Sequence, residues 1–257
     1  MRPRSAQFSA SNYPYKTAVR MQVARSTPMP RWKRVVDLVL CVLALPFLGM
    51  VTLVTTILMR LVSPGPVFFR QERVGYLGRG FMIYKFRTMK VGADTSLHRD
   101  HTKDLIGSNA PMMKMDNRGD SRLIPGAKWI RALGIDELPQ LINVLRGEMS
   151  FVGPRPCVPY EYEHYLPWQR ERFSTLPGLT GLWQVSGKNR TTFDQMIRLD
   201  IHYAHHKSPW MDTRIILRTP LALLQQLLDS RARHRAETSM VETGSGLPGF
   251  GSAIKSR

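Results

Sequence analysis

From Leu38 to Met59 the chain carries no charged residue, a run of 22 positions closed by Asp37 on one side and Arg60 on the other. As a straight helix rising ~1.5 Å per residue it would just cross the ~30 Å hydrocarbon core of a bilayer. A buried helix of a water-soluble domain normally keeps a polar face, and this run has none, so it reads as a segment that enters a membrane. It does not read as a cleaved signal peptide, because a long polar and basic stretch precedes it and no small-residue cleavage site follows. Pro46, near its middle, removes one helical hydrogen bond and crowds the preceding turn, so a kink or break is expected there. Two geometries follow: a kinked span, or a re-entrant hairpin that dips in and returns. Arg31, Lys33 and Arg34 flank one end while Arg60, Arg70 and Arg73 follow the other. Basic residues on both flanks lean toward the hairpin.

The rest of the charge is as uneven as this segment. The net charge is +18, and residues 1–34 hold eight basic residues and no acidic one. Such a surplus seeks a polyanion, either nucleic acid or an anionic membrane surface. No helix-turn-helix, zinc or stacked-aromatic signature accompanies it, so nucleic acid is not the expected partner. Composition divides the chain into four parts: a basic, disordered tail over 1–32, the membrane segment over 33–62, one folded domain over 63–237 and a Gly/Ser-rich disordered tail over 238–257. Cys41 and Cys157 are far apart without a C-x-x-C partner, which predicts reduced thiols in a cytoplasmic setting.

The expected fold class is α+β and mostly helical. Ser63-Pro64-Gly65-Pro66 is a turn leaving the membrane segment. VFFRQERVG and FMIYKFRTM, two β-rich stretches separated by glycines, predict a small β-hairpin. Residues 91–118 are expected as a helix plus loop. Residues 128–149 read as helical on both sides of Gly134, with Asp136 as N-cap of the second helix and Glu137 and Pro139 in its first turn. Leu138, Leu141, Ile142 and Leu145 follow at helical spacing. Tyr160, Tyr162, Tyr165 and Trp168 lie among charges, which suits either a membrane–water interface or ordinary packing. Leu221, Leu223, Leu224, Leu227 and Leu228 predict an amphipathic helix, followed by Arg231, Arg233 and Arg235, that fits an anionic membrane surface. The glycines at 75–80 and 178–181 match no nucleotide-binding pattern and read as turns.

Asp136 and Glu137 are the candidate chemistry. Adjacent on a helix, their side chains diverge by about 100°, so two different tasks suit them better than one shared task. An aspartate can attack phosphorus and form an aspartyl phosphate. A glutamate can hold Mg²⁺, which takes one or two carboxylates plus substrate phosphates. Alone, the pair could equally be a helix cap. Lys85, Arg87, Arg131 and Arg155 gain meaning if they converge on a phosphate. His202, His205 and His206 lack a Cys or acidic ligand at metal-site spacing and do not predict a metal centre.

These residues lie in motifs that run in order along the chain: KRVVD, SPGPVFFRQERVG, FMIYKFRTM, IDELPQLINVLRGEMSFVGPRP, PGLTGLWQVSGKNR and RLDIHY. From about Lys33 to about Pro220 the sequence resembles the bacterial sugar transferases, the monotopic polyprenyl-phosphate phosphoglycosyl transferases. The resemblance implies a re-entrant helix broken at Pro46, with the catalytic domain on the cytoplasmic face of the bacterial inner membrane. It implies that Asp136 attacks the β-phosphate of a UDP-sugar, releasing UMP, and that a polyprenyl (undecaprenyl) phosphate then takes the sugar 1-phosphate. It assigns Mg²⁺ to Glu137, and places Lys85, Arg87, Arg131, Arg155, Pro177, Gly178 and Asp200 at the substrate or phosphate site. Glucose or galactose 1-phosphate, feeding exopolysaccharide or a related glycan, is the implied cargo. Three departures stand out: Leu45 replaces a common Ser before the proline, Leu176 a basic residue before Pro-Gly (with Arg172 as a substitute), and Leu133-Gly134-Ile135 a Ser or Thr stretch. The competing expectation is a membrane-tethered basic binding protein without catalysis.

Overall fold

The computed structural model describes residues 29–90, 122–187 and 191–242, together with positions 92 and 108. The expected tails, up to residue 28 and from residue 243, lie outside the described residues. So does the helix and loop expected over 91–118, those two positions apart. The structure is mostly helical, with two small sheets.

Helix α1, Arg31–Val62, is the apolar segment. It runs as one helical element with Pro46 inside it, so the expected helix-break-helix interruption is absent. Pro46 is exposed, away from the protein body, where one missing hydrogen bond does not end a helix held by packing on its other side. Lys33, Asp37, Cys41, Thr55 and Met59 are buried, and Ala44, Leu48 and Val51 are half-buried between them. Steps of three and four residues place all of these on one stripe. Away from the stripe the helix is exposed and apolar, with Leu43 71% and Leu61 79% accessible.

Polar contacts seat the first turns of α1. Lys33 forms a 2.6 Å ion pair with Asp212 and donates to the Tyr203 hydroxyl at 2.8 Å. Arg34 donates to the carbonyls of Val144 and Leu145. Asp37 accepts from the Ser150 hydroxyl and the Phe151 N–H, both at 2.9 Å. At the other end Met59 packs with Phe86, Ile124 and Ala127, and Arg87 donates to the carbonyls of Ser63 and Pro64 at 2.8 and 3.0 Å. Both ends of one long helix are therefore held by the same body.

The predicted hairpin is present as β1 (Phe68–Val74) and β2 (Gly80–Phe86), antiparallel with Phe68 opposite Phe86 and Val74 opposite Gly80. Helix α2 (Ala127–Ala132) ends at Gly134, whose φ of 70° is the left-handed conformation that glycine adopts freely. Residues Ile135–Gln140 then form a 3₁₀ turn that leads into α3 (Leu141–Arg146). Asp136 is thus inside a 3₁₀ turn and not the N-cap of an α-helix, because Gly134 caps the turn and Glu137 N–H bonds back three residues to its carbonyl.

A second sheet pairs β3 (Ser150–Val152) with β4 (Gly178–Thr180) in parallel. Residues 178–180 are therefore strand and not the expected turn. A Cβ on Gly178 would lie 2.1 Å from the Gly153 nitrogen, so only glycine permits this approach. After α4 (Pro159–Glu163) and a 3₁₀ segment (Pro167–Ser174) come α5 (Leu182–Val185), α6 (Phe193–His206) and α7 (Pro209–Glu242). Tyr162 and Tyr165 are each 3% exposed and pack with Phe173 and Phe193, which decides for ordinary packing over an interfacial belt. Cys41 and Cys157 are both buried and free of disulfides. Along α7, Trp210, Leu217, Leu221, Leu224 and Leu228 are exposed.

Candidate active site

The candidate site is assembled by the 3₁₀ turn, the end of β2 and the loop after β3. Asn143, fully buried about two turns beyond the acidic pair, joins the first two. Its Oδ1 accepts from the Tyr84 N–H at 3.2 Å and its Nδ2 donates to the Met82 carbonyl at 2.7 Å. Gripping β2 on both sides of Ile83 brings Lys85, two residues on and on the same face of the strand, against the turn. Lys85 Nζ lies 2.9 Å from Glu137 Oε1. Burial pulls the Lys85 ammonium below the usual lysine range, and the Glu137 carboxylate opposes that shift.

Arg155 supplies a second cation, 4.0 Å from the same oxygen. The residues around it are held through their carbonyls by three different segments, β1, β4 and the 3₁₀ segment Pro167–Ser174. Pro154 accepts from Gly178 N–H at 2.9 Å and Cys157 from Val74 N–H at 2.8 Å. Arg155 accepts from the Arg172 guanidinium at 2.8 Å and Pro156 from Arg73 at 3.2 Å. The two flanking prolines restrict the loop, but these four bonds place it.

Glu137, Lys85 and Arg155 line a cleft completed by Arg73, Ile83, Gln140, Pro156, Gly178 and Gln184. Asp136 is next to this wall and is 7% exposed. The neighbouring carboxylates therefore occupy different environments, one largely buried and one facing the cleft. Lys85, Glu137, Arg155 and Gly178 come together as the sequence suggests. Pro177 supports them from behind by accepting from the Ser150 N–H at 2.8 Å.

Two sequence candidates, Arg87 and Asp200, are directed away from the cleft. Arg87 is 5% exposed and directed at the end of α1. Arg131 bonds Thr88 Oγ1 at 3.3 Å. Asp200 is 1% exposed and forms a 2.6 Å ion pair with Arg172 beneath the Arg155 loop. Gln140 and Gln184 are not singled out from sequence, and Arg73 only as a charge flanking the apolar run. All three fall inside the quoted motifs, but nothing in the residue types marks them from their neighbours.

The carboxylate-and-cation cleft suits a phosphate-bearing ligand and a metal held jointly with that ligand. No cluster of three His, Cys, Asp or Glu side chains occurs among the described residues. Glu137 is the carboxylate of this cleft that would hold Mg²⁺ together with substrate phosphates.

Comparison with known proteins gives the family. Residues 29–226 match the family described as bacterial sugar transferase. The chain is 42% identical over 191 residues to the galactosyl transferase CpsE of Streptococcus agalactiae, covering 73% of this chain and 41% of that protein. It is 39% identical over 210 residues to the UDP-glucose:undecaprenyl-phosphate glucose-1-phosphate transferase of Caulobacter vibrioides, covering 77% and 73%. It is 35% identical over 187 residues to the exopolysaccharide production protein ExoY of Sinorhizobium fredii, covering 73% and 83%. The chain thus spans less than half of the streptococcal relative and most of the other two. With the match covering α1, the hairpin and every element of the cleft, the chain belongs to the bacterial sugar transferase family.

Proposed function

We propose that this protein transfers a sugar 1-phosphate from a UDP-sugar to a polyprenyl phosphate through a covalent intermediate on Asp136. The observation that carries the reading is the Glu137 carboxylate with Lys85 at 2.9 Å and Arg155 at 4.0 Å, beside the buried Asp136. An Asp136 oxygen attacks the β-phosphorus, and the bond from that phosphorus to the bridging oxygen breaks. UMP leaves with the bridging oxygen, and the sugar phosphate remains as an acyl phosphate on Asp136. A phosphate oxygen of the polyprenyl phosphate then attacks the same phosphorus and the Asp136 carboxylate leaves, giving a polyprenyl diphosphate sugar. Such chemistry is mainly positioning and charge stabilisation. Lys85 and Arg155 meet the developing charge on phosphate oxygens, and the low exposure of Asp136 keeps water from the acyl phosphate. Glu137 and the diphosphate would hold Mg²⁺, which supplies further charge neutralisation when bound.

The same reading places α1 in the membrane from one side. A 32-residue helix is ~48 Å long, yet Lys33 at one end and Met59 at the other pack on one body. A helix crossing the bilayer would separate those ends. Its exposed apolar face therefore enters the cytoplasmic leaflet of the bacterial inner membrane while both flanks stay on the cytoplasmic side, a one-sided arrangement reached without a break at Pro46. The exposed leucines of α7 lie at the same interface. The soluble donor and the lipid acceptor would meet there.

Purified protein in detergent with Mg²⁺ is expected to release UMP from a member of a UDP-sugar panel when polyprenyl phosphate is present. Asp136→Asn should abolish release while leaving the thermal midpoint unchanged, and near-normal turnover by that variant rules out Asp136 as nucleophile. For topology, single cysteines replacing Arg31 and Arg60 should be labelled by an impermeant reagent from the same membrane face. Labelling from opposite faces excludes the one-sided arrangement.

A further inference from the structure

The cleft wall rests on an ion pair that takes no part in it. Arg172 and Asp200 have side chains each 2% exposed, 2.6 Å apart. Arg172 comes from the 3₁₀ segment Pro167–Ser174 and Asp200 from the middle of α6. Arg172 has three partners: Nη1 donates to the Tyr165 hydroxyl at 2.8 Å, while Nη2 both faces the Asp200 carboxylate at 2.6 Å and donates to the Arg155 carbonyl at 2.8 Å. A buried pair that only joined α6 to the segment would have no need of the third contact. That contact reaches the backbone of Arg155, which lines the cleft and whose guanidinium shares the Glu137 oxygen with Lys85. A planar guanidinium can satisfy a carboxylate and a carbonyl together in fixed geometry, whereas a lysine ammonium on its flexible stem does so poorly.

We propose that Arg172, oriented by Asp200, is a positioning residue that sets the Arg155 backbone and thereby aims the Arg155 guanidinium at the donor phosphates. Asp200, whose position the family resemblance assigns to the substrate site, acts at one remove through Arg172 and touches no substrate. The inference rests on the transferase reading for the identity of the ligand. Its structural core, that Arg172 governs Arg155, stands on the contacts alone.

Removing either charge singly leaves its partner buried and unpaired, which can unfold the protein. The informative variant is therefore Arg172→Met/Asp200→Leu, which removes both charges with side chains of suitable volume and tends to keep stability. Arg155→Ala is expected to lower kcat/KM for the UDP-sugar by roughly thirtyfold, the usual scale for a charged hydrogen bond. The double variant, at an unchanged thermal midpoint, should lower it by a similar factor. Combining it with Arg155→Ala should then add no further loss, since both act through one guanidinium. Wild-type kcat/KM in the folded double variant overturns the inference, as does a loss that multiplies fully with that of Arg155→Ala. Arg172→Lys, which keeps the charge but cannot hold the carboxylate and the carbonyl together, supplies a second test. It should retain the thermal midpoint and still lose most of the kcat/KM, and full activity in that variant also overturns the inference. Binding of inorganic pyrophosphate by the same proteins reads the cation geometry without turnover and should weaken in parallel. Absence of UMP release by the wild type would count against the transferase reading, while the pyrophosphate titration would still decide the role of Arg172.

Discussion

Two buried ion pairs of the same length serve different parts of this molecule. Lys33–Asp212 and Arg172–Asp200 are both 2.6 Å apart, with side chains 6% exposed or less. The first closes a small network in which the Tyr203 hydroxyl accepts from Lys33 and donates to Asp212 at 2.6 Å. It joins the first turn of α1 to α6 and α7, and its Tyr203 hydroxyl also reaches the Val152 carbonyl of β3 at 3.1 Å, but none of these residues lines the cleft. The second shares α6 with it but extends a hydrogen bond to the carbonyl of Arg155. A lysine suffices where a point charge must be neutralised, and an arginine stands where a carboxylate, a hydroxyl and a carbonyl are approached together. One pair seats the membrane helix, and the other shapes the site.

Breaking the seat should give the largest change in stability. Asp212→Ala strands the Lys33 ammonium in the interior and is expected to cost about 3 to 5 kcal/mol, read as a fall in the thermal midpoint in detergent. Lys33→Met/Asp212→Leu should recover most of that loss and release UMP at near wild-type kcat/KM. A folded double variant with strongly impaired turnover would show that the seat also governs the cleft and would dissolve the contrast between the pairs.

A smaller effect separates the pairs by pH. Burial pushes the Asp200 carboxyl up to about 6 from its ordinary 3.8, with Arg172 pulling the other way. Between those values the folded protein keeps a proton that the unfolded chain has lost. The stability from that proton is full below 3.8 and is lost as pH rises through about 6, on the order of 2 to 3 kcal/mol. Asp200→Asn cannot titrate, so its stability should fall less than that of the wild type between pH 4 and pH 7. Parallel pH–stability curves for the two proteins would contradict this assignment.

The contrast also shows what one-dimensional reading can reach. The apolar run, the β1–β2 hairpin and the meeting of Lys85 with Glu137 were legible because each leaves a local trace: absence of charge, glycines between β-rich stretches, or residues in motifs with a known family pattern. Lys33 and Arg34 were read as membrane-flanking charges, but Lys33 is 1% exposed and Arg34 caps the end of α3. Lys33 and Asp212 are 179 residues apart, and no periodicity announces such a pairing. The β3–β4 sheet was missed because three-residue strands are too short to show alternation. The 3₁₀ turn at 135–140 was read as an α-helix because the two differ in hydrogen-bond register and not in composition. Arg87 was grouped with the phosphate-binding cations because its charge is visible in sequence and its carbonyl partners at Ser63 and Pro64 are not.

The central claim is that Asp136 carries the sugar phosphate between donor and acceptor. Protein mixed with a UDP-sugar labelled in its β-phosphate, with Mg²⁺ and no polyprenyl phosphate, should retain label on the polypeptide. Addition of polyprenyl phosphate should discharge it, and Asp136→Asn should never acquire it. A turning-over wild type that carries no label, or an Asp136→Asn protein that labels as the wild type does, would contradict the account.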